Sequence, residues 1–165
     1  TPIRKKLDDI FDAVLDFYKS APVDALAFAQ GGDFMGGGKS TLAKCIKVKR
    51  KCMNTWFMSV DKPVRFIGKM NEDYTSSVYH GSLGGVFLTL NNISINQIET
   101  QKGKGGMTDT YLDNGTYIKT FYSVMAMPSC VKVSMMGIKH RRIHHLTNWE
   151  NAVPKIIGDK YKIIN

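Results

Sequence analysis

The sequence predicts an α/β fold in which a mixed sheet is flanked by helices. Three observations favour this class: a helix-spaced apolar pattern opens the chain, short apolar runs follow it, and an alternating apolar segment lies near the end. Because the predicted helices and strands are interspersed, we expect them to form layers around one sheet. The length of 165 residues suits one domain, and no internal repeat or linker divides it.

The first part of the chain contains two predicted helices and two predicted strands. Residues 4–20 have apolar side chains at helical spacing, and Pro22 follows them. A short buried strand is expected at 25–30, and a second helix from about 41 to 57. The next strand is expected at 64–68, directly after a proline.

The second part begins with a predicted strand at 86–90, after a glycine turn. Residues 113–115 have the Asp-Asn-Gly pattern of a turn. Apolar spacing favours a helix at 117–125, although its β-branched content leaves a strand open. Alternation predicts a half-buried strand at 131–135, and 149–157 is expected to be a closing helix or turn.

The composition is that of a basic globular protein. Its net charge is +9 and its pI is near 9.5, and such a surplus attracts nucleic acids or phosphorylated ligands. A basic protein without a nucleic-acid role is the alternative. Three scattered cysteines favour a reducing cytoplasm, and no apolar run is long enough for a membrane helix, so we expect no membrane partner.

A glycine-rich stretch at 31–41 invites comparison with a phosphate-binding P-loop. The spacing is unfavourable, because a P-loop requires glycine six residues before its lysine, and Asp33 stands six residues before Lys39. A P-loop nucleotide kinase or NTPase is therefore the second hypothesis for function. The stretch is equally compatible with a loop that borders a phosphate site or with a plain surface loop.

An acidic pair, Glu72 and Asp73, follows the strand predicted at 64–68. Ligands of open α/β sheets bind at the carboxyl ends of strands, and adjacent carboxylates are suitable ligands for Mg²⁺ or Mn²⁺. Such a cation can bind a diphosphate, and the basic stretch 49–54 upstream offers further groups for phosphates. A solvated turn and a solvated basic helix face are the alternatives.

These two stretches resemble a known family. Residues 50–54 followed by 66–73 are similar to the donor-binding half of GT-A glycosyltransferases, where a basic helix with an asparagine precedes a strand and a DxD-type motif. More narrowly, they resemble the TET/JBP-associated glycosyltransferase family, phage and kinetoplastid enzymes that act on hydroxymethylpyrimidines in DNA. Further similar segments are 97–101, 105–109, 115–125 and 142–145, so the resemblance covers about 27–154.

The resemblance implies one GT-A-like, Rossmann-related domain over residues 1–165, and it leaves open that an N-terminal part is missing. It implies a nucleotide-sugar donor, preferably a UDP-sugar, with Mn²⁺ or Mg²⁺ at the diphosphate. The donor-binding residues would be Arg50, Lys51, Asn54, Asn71, Glu72 and Asp73. The metal ligands would be Asp73 and Glu72, joined by His144 and His145. Asn71-Glu72-Asp73 departs from a strict DxD, which leaves the ligating carboxylate open.

The acceptor side has weaker candidates. Asp109 follows a glycine pair and is the candidate general base for the acceptor hydroxyl, with Asp113 as a competitor. The side chains expected at the DNA backbone are Lys102, Lys104, Lys139, Arg141 and Arg142. A non-enzymatic DNA-binding module that uses these basic groups is the third hypothesis, and the histidine pair would then be a solvated or DNA-facing patch.

Overall fold

The computed structural model describes residues 6–29, 46–53, 55–95, 107–115, 117–138 and 141–155, in a mixed α/β arrangement that confirms the predicted fold class. The helices are α1 Leu7–Ser20, α2 Glu72–Ser82, α3 Thr108–Asn114 and α4 Ile118–Ala126. The strands are β1 Ala25–Ala29, β2 Ile46–Lys47, β3 Trp56–Phe57, β4 Phe87–Ser94, β5 Val131–Met136 and β6 Arg142–Thr147.

The larger sheet has the order β2-β4-β1-β3. Its two central strands, β1 and β4, are parallel, and the short strands β2 and β3 pair antiparallel on the outside. Every residue of β1 is buried, because Leu26 and Phe28 face one side of the sheet while Ala25 and Ala27 face the other. The small alanines allow Cys52 to pack directly against the second face.

Helix α1 covers the first face of this sheet. Its buried Val14 packs with Leu26, Phe28 and Leu90, and the Phe57 ring stands 5.1 Å from the Phe28 ring. Burial of this apolar face stabilises a helix that exposes charged residues on its other side. The helix predicted at 4–20 and the strands predicted at 25–30 and 86–90 are therefore confirmed.

Helix α2 forms a second core with α4 and the antiparallel β5–β6 ladder. Tyr74 and Val78 pack here against Val131 and Ala152. The helix approaches the backbone of 152 so closely that a Cβ on Gly81 would lie 2.2 Å from its carbonyl oxygen. The helix near 117–125 and the strand near 131–135 are confirmed, and residues 149–155 form turns rather than a helix.

Two predicted elements are wrong in the part of the chain that is described. Residues 46–57 hold two short strands instead of a helix, because pairing with β4 and β1 overrides local preference. Residues 64–68 join no sheet, and the Arg65 carbonyl accepts a hydrogen bond of 2.9 Å from the His80 ring. Glu72 and Asp73 thus begin a helix and do not follow a strand.

The two parallel strands end at the same edge of the sheet. Ala29, the last residue of β1, pairs with Ser94, the last residue of β4, so the chain leaves both strands at the same edge. The two glycine-rich stretches of the sequence, 31–41 and 102–106, come next along the chain, and both lie outside the described residues. The predicted turn at 113–115 coincides with the end of α3, where Gly115 has a φ of 77°.

Candidate functional site

The site is built around Asp73, in the first turn of α2. The backbone N–H of Tyr74 donates a 2.7 Å hydrogen bond to Asp73 Oδ1, which holds the carboxylate beside its own helix. Burial raises the pKa of Asp73, while the Tyr74 N–H and Lys51 act in the opposite direction. Glu72 precedes it and is exposed. Asp73 is therefore a partly desolvated carboxylate with a cation nearby.

Asn71 fixes the start of this helix. Its backbone has a φ of 56°, in the left-handed region that asparagine tolerates better than most residues. Its side-chain amide donates a 2.9 Å hydrogen bond to Ser123 Oγ on α4. This hydrogen bond joins α2 to α4, and the expected contact of Asn71 with the donor stays a prediction.

Two lysines approach Asp73 from different elements. Burial lowers the pKa of Lys51, and neighbouring Arg50 lowers it further, whereas Asp73 raises it. Burial also lowers the pKa of Lys119 on α4, with Arg142 on β6 acting in the same direction and Asp73 opposing. Among the described residues neither lysine forms an ion pair with a carboxylate. Both lysines are partly buried, and among the described residues the carboxylate that offsets their charge is Asp73.

The loop that contains Lys51 is anchored to β4. Thr89 Oγ1 donates a 3.2 Å hydrogen bond to the Lys51 carbonyl oxygen, and the Cys52 thiol contacts the Leu88 carbonyl oxygen at 3.7 Å. Burial raises the pKa of Cys52 to about 12, so this cysteine is an inert packing group. Lys51 is consequently positioned by the sheet, while Lys119 is positioned by α4.

The histidine pair lies on β6 at the border of the site. The His145 ring stacks on Tyr74 with ring centres 4.0 Å apart, and burial lowers its pKa to about 3. His144 Nδ1 donates a 2.9 Å hydrogen bond to the His145 carbonyl oxygen, which leaves Nε2 as an acceptor in the neutral ring. Burial lowers the pKa of His144 as well, so both rings are neutral at pH 7.

These side chains do not by themselves form a cage for a divalent cation. In the described ranges no group of three or more His, Cys, Asp or Glu residues could hold a metal ion. Lys51 and Lys119 are electrostatic neighbours of Asp73 and would repel a cation placed there. The expected metal set of Asp73, Glu72, His144 and His145 therefore stays a prediction.

The same groups suit an anion. We call Lys51, Lys119 and Arg142 the basic cluster. Lys119 is an electrostatic neighbour of both Lys51 and Arg142, and the two lysines are also neighbours of Asp73. A ligand with at least two negative charges would compensate cations that one carboxylate leaves unbalanced. The sequence pointed to Lys51 and Arg142 but not to Lys119, whose only signal was a cationic residue within a largely apolar helix.

Of the remaining predicted site residues, some lie near the site and others lie outside the described part of the chain. Asp109 is exposed in the first turn of α3, and that helix reaches the site through Tyr111, whose ring lies 5.6 Å from Lys119 Nζ. Burial raises the pKa of Tyr111, and Glu72 and Asp73 raise it further. The exposed Arg141 adjoins Arg142 in sequence. The predicted residues outside the described part of the chain are Asn54, Lys102, Lys104 and Lys139.

Cations gathered around a partly buried carboxylate in a mixed α/β fold are compatible with a phosphorylated ligand. Comparison with family models makes the assignment specific. The model described as TET-Associated Glycosyltransferase matches residues 2–106, and the chain belongs to this family. The protein is thus a glycosyltransferase, as the resemblance implied, and such enzymes use a nucleotide-sugar donor.

The matched region covers α1 through β4 of the described elements, and with them Lys51 and Asp73. Lys119, Arg142 and the histidine pair lie beyond it. Comparisons with curated proteins and with solved structures found no match. None of the helices in the described ranges is both long and apolar enough to cross a bilayer.

Proposed function

We propose that the protein transfers a sugar from a UDP-sugar to the hydroxymethyl group of a pyrimidine in DNA. The observation that carries the proposal is the basic cluster, in which Lys51 and Lys119 are electrostatic neighbours of the partly buried carboxylate of Asp73, and Arg142 is a neighbour of Lys119. A nucleotide diphosphate supplies the missing negative charge. The family assignment supplies the sugar that this diphosphate carries.

The chemistry follows from the charge that develops during transfer. The hydroxymethyl oxygen bonds to the anomeric carbon, and the bond from that carbon to the diphosphate oxygen breaks with its electron pair. Lys51 and Lys119 stabilise the leaving diphosphate because its negative charge increases in the transition state. The hydroxyl proton passes to a general base, for which the exposed carboxylate of Asp109 stays the candidate.

The predicted cation, Mn²⁺ or Mg²⁺ on Glu72 and Asp73, is a separate part of the proposal. It would add positive charge at the diphosphate, and no step described above depends on it. Melting curves with UDP alone, with UDP and Mn²⁺, and with UDP and EDTA distinguish diphosphate binding that requires a divalent cation from binding that does not. Stabilisation by UDP in EDTA would assign diphosphate binding to the protein's own cations.

The acceptor is proposed to be DNA because of the overall charge of +9 and the exposed Arg141 and Arg142. Such side chains bind phosphates without reading sequence, and binding should therefore weaken steeply with salt. The roles of Lys102, Lys104 and Lys139 at the DNA backbone stay predictions. We expect the protein to act in the cytoplasm of the cell that holds this DNA.

The test is mass spectrometry of hydroxymethylated DNA after incubation with several nucleotide sugars. A sugar-sized mass gain on a hydroxymethylpyrimidine supports the proposal and identifies the donor. Asp109→Asn should then retain UDP binding and lose transfer, since only the proton acceptor is removed. No mass gain with any donor, together with stabilisation by ATP and Mg²⁺ but not by UDP, would favour the P-loop alternative instead.

A further inference from the structure

A cavity lies between α2, α4 and the segment that precedes α2. Its volume is 410 Å³, within the range of sites for small molecules. The residues that line it are Ile67, Gly68, Thr75, Tyr122, Met125 and Ala126. This wall is apolar and aromatic apart from hydroxyl groups, which suits a flat heterocyclic ring better than a hydroxyl-rich sugar.

The aromatic part of the wall is the Tyr122 ring. Gly68 has a φ of 86°, and a Cβ added to it would lie 3.7 Å from Tyr122 Cδ1. Tyr122 and Met125 nevertheless remain accessible to solvent, with 40% and 82% of their surface exposed. Apolar side chains left open around a concavity are typical of a binding surface rather than of a core.

Thr75 forms the polar part of the wall. Its Oγ1 lies 3.0 Å from Ser123 Oγ, and either hydroxyl can donate in that pair. Ser123 Oγ also accepts from the Asn71 amide. Thr75 is buried, so its hydroxyl serves the contact between α2 and α4.

Helix α4 links the cavity to the basic cluster. Tyr122 follows Lys119 by three residues, a spacing that places the two side chains on the same face of α4, about 4.5 Å apart along its axis. Thr75 follows Asp73 by two residues on α2, so these two side chains point to different faces. The connection between the cavity and the proposed donor position is therefore the pair Tyr122 and Lys119.

We propose that this cavity receives the acceptor pyrimidine after it has been extruded from the DNA helix. The inference rests on the proposed function and adds the place where the acceptor base is held. Extrusion would take the base out of the stack and bring its hydroxymethyl group into the protein. Tyr122 provides a stacking surface, and Arg142, which is an electrostatic neighbour of Lys119, provides positive charge for the strand.

The test uses a short duplex with one hydroxymethylpyrimidine opposite a fluorescent adenine analogue that brightens when its partner base is extruded. Tyr122→Ala removes the stacking ring, and Ala126→Phe fills the cavity from an exposed position. Both variants should lose the fluorescence increase and bind the duplex about tenfold more weakly. Tyr122→Phe should behave like the original protein because the ring is kept.

Tyr117→Ala is the matched control, since Tyr117 is an exposed tyrosine on the same helical segment that does not line the cavity. It should leave both signals unchanged. Stabilisation by UDP should persist in the Tyr122 and Ala126 variants, because the donor site is separate. Loss of UDP stabilisation in these variants would assign the cavity to the donor and overturn the inference, as would unchanged extrusion and affinity.

This experiment is independent of sugar transfer. If the original protein extrudes the base in a Tyr122-dependent way but transfers no sugar, the base site stands and the proposed function fails. If it transfers sugar to DNA equally well with Tyr122→Ala and Ala126→Phe, the proposed function stands and the base site is elsewhere.

Discussion

Replacement of Lys119 by methionine is the sharpest test of the basic cluster. The change keeps most of the aliphatic stem and removes one charge that lies partly buried next to Asp73 and Arg142. A hydrogen bond to a charged group contributes about 1.5–3 kcal/mol, and solvent screening at a half-buried position favours the lower end. Since about 1.4 kcal/mol corresponds to tenfold, UDP affinity should fall about tenfold.

The same substitution should not destabilise the free protein. Burial disfavours the charged form of Lys119, so its removal relieves a desolvation cost in the folded state. We therefore expect the melting temperature without ligand to stay the same or rise, while the stabilisation by UDP shrinks. This opposite response of stability and affinity separates a ligand-binding cation from a structural one.

Calorimetric titration with UDP and melting curves without ligand measure the two quantities. Lys132→Met is the control, because it removes the same charge from an exposed position on β5. Unchanged UDP affinity in Lys119→Met would refute the assignment of the cluster. A melting temperature lower by more than about 3 °C, which corresponds to about 1 kcal/mol for this chain length, would show that Lys119 is structural.

Three further predictions concern the site and its core. In EDTA, Asp73→Asn should bind UDP more tightly, because the substitution removes a negative charge beside the diphosphate. Titration calorimetry measures this affinity. If the variant instead loses UDP affinity only in the presence of Mn²⁺, the result supports the predicted cation site. The lowered pKa of His145, about 3 against an ordinary value of 6.5, means that the unfolded chain takes up a proton below pH 6.5 and the folded protein does not. Stability should therefore decrease as the pH falls from 6.5 towards 3, by up to about 1 kcal/mol per pH unit, and denaturant titrations of His145→Phe should show a weaker dependence. Gly81→Ala should destabilise the fold by about 1–3 kcal/mol, because its Cβ would meet the carbonyl oxygen of Ala152; an unchanged unfolding midpoint would contradict this packing.

Local sequence patterns were sufficient to predict helices and strands that bury one face. The apolar spacing of α1 predicts its burial directly, because the helix packs on one side only. The alternation of β5 predicts the strand but not its burial, since Val131 is buried while Val133 and Met135 are exposed. Helix α2 was missed for the opposite reason. It is buried almost all round, and its Thr75, Ser76 and Ser77 are polar residues whose hydroxyls are satisfied by tertiary or local hydrogen bonds.

The site residues also divide into those that the sequence predicted and those that only the fold revealed. Lys51, Glu72 and Asp73 were recognised because they are close in sequence to a motif with a known resemblance. Lys119 is distant in sequence and has no motif of its own. It becomes part of the site because the amide of Asn71 joins α2 to α4 through Ser123. No periodicity or spacing rule contains such a contact between distant segments.

The amino-acid sequence by itself determined the α/β class, the family, the positive charge and the carboxylate at the centre of the site. Those properties depend on composition, short periodic patterns and local motifs, which are all readable along the chain. Only the tertiary structure decided that Glu72 and Asp73 begin a helix, that Lys119 on α4 approaches Asp73 with Arg142 of β6 beside it, and that Tyr122, three residues further along α4, lines a cavity. These features arise from the packing of α2, α4 and β6, and packing depends on side chains that are far apart in sequence.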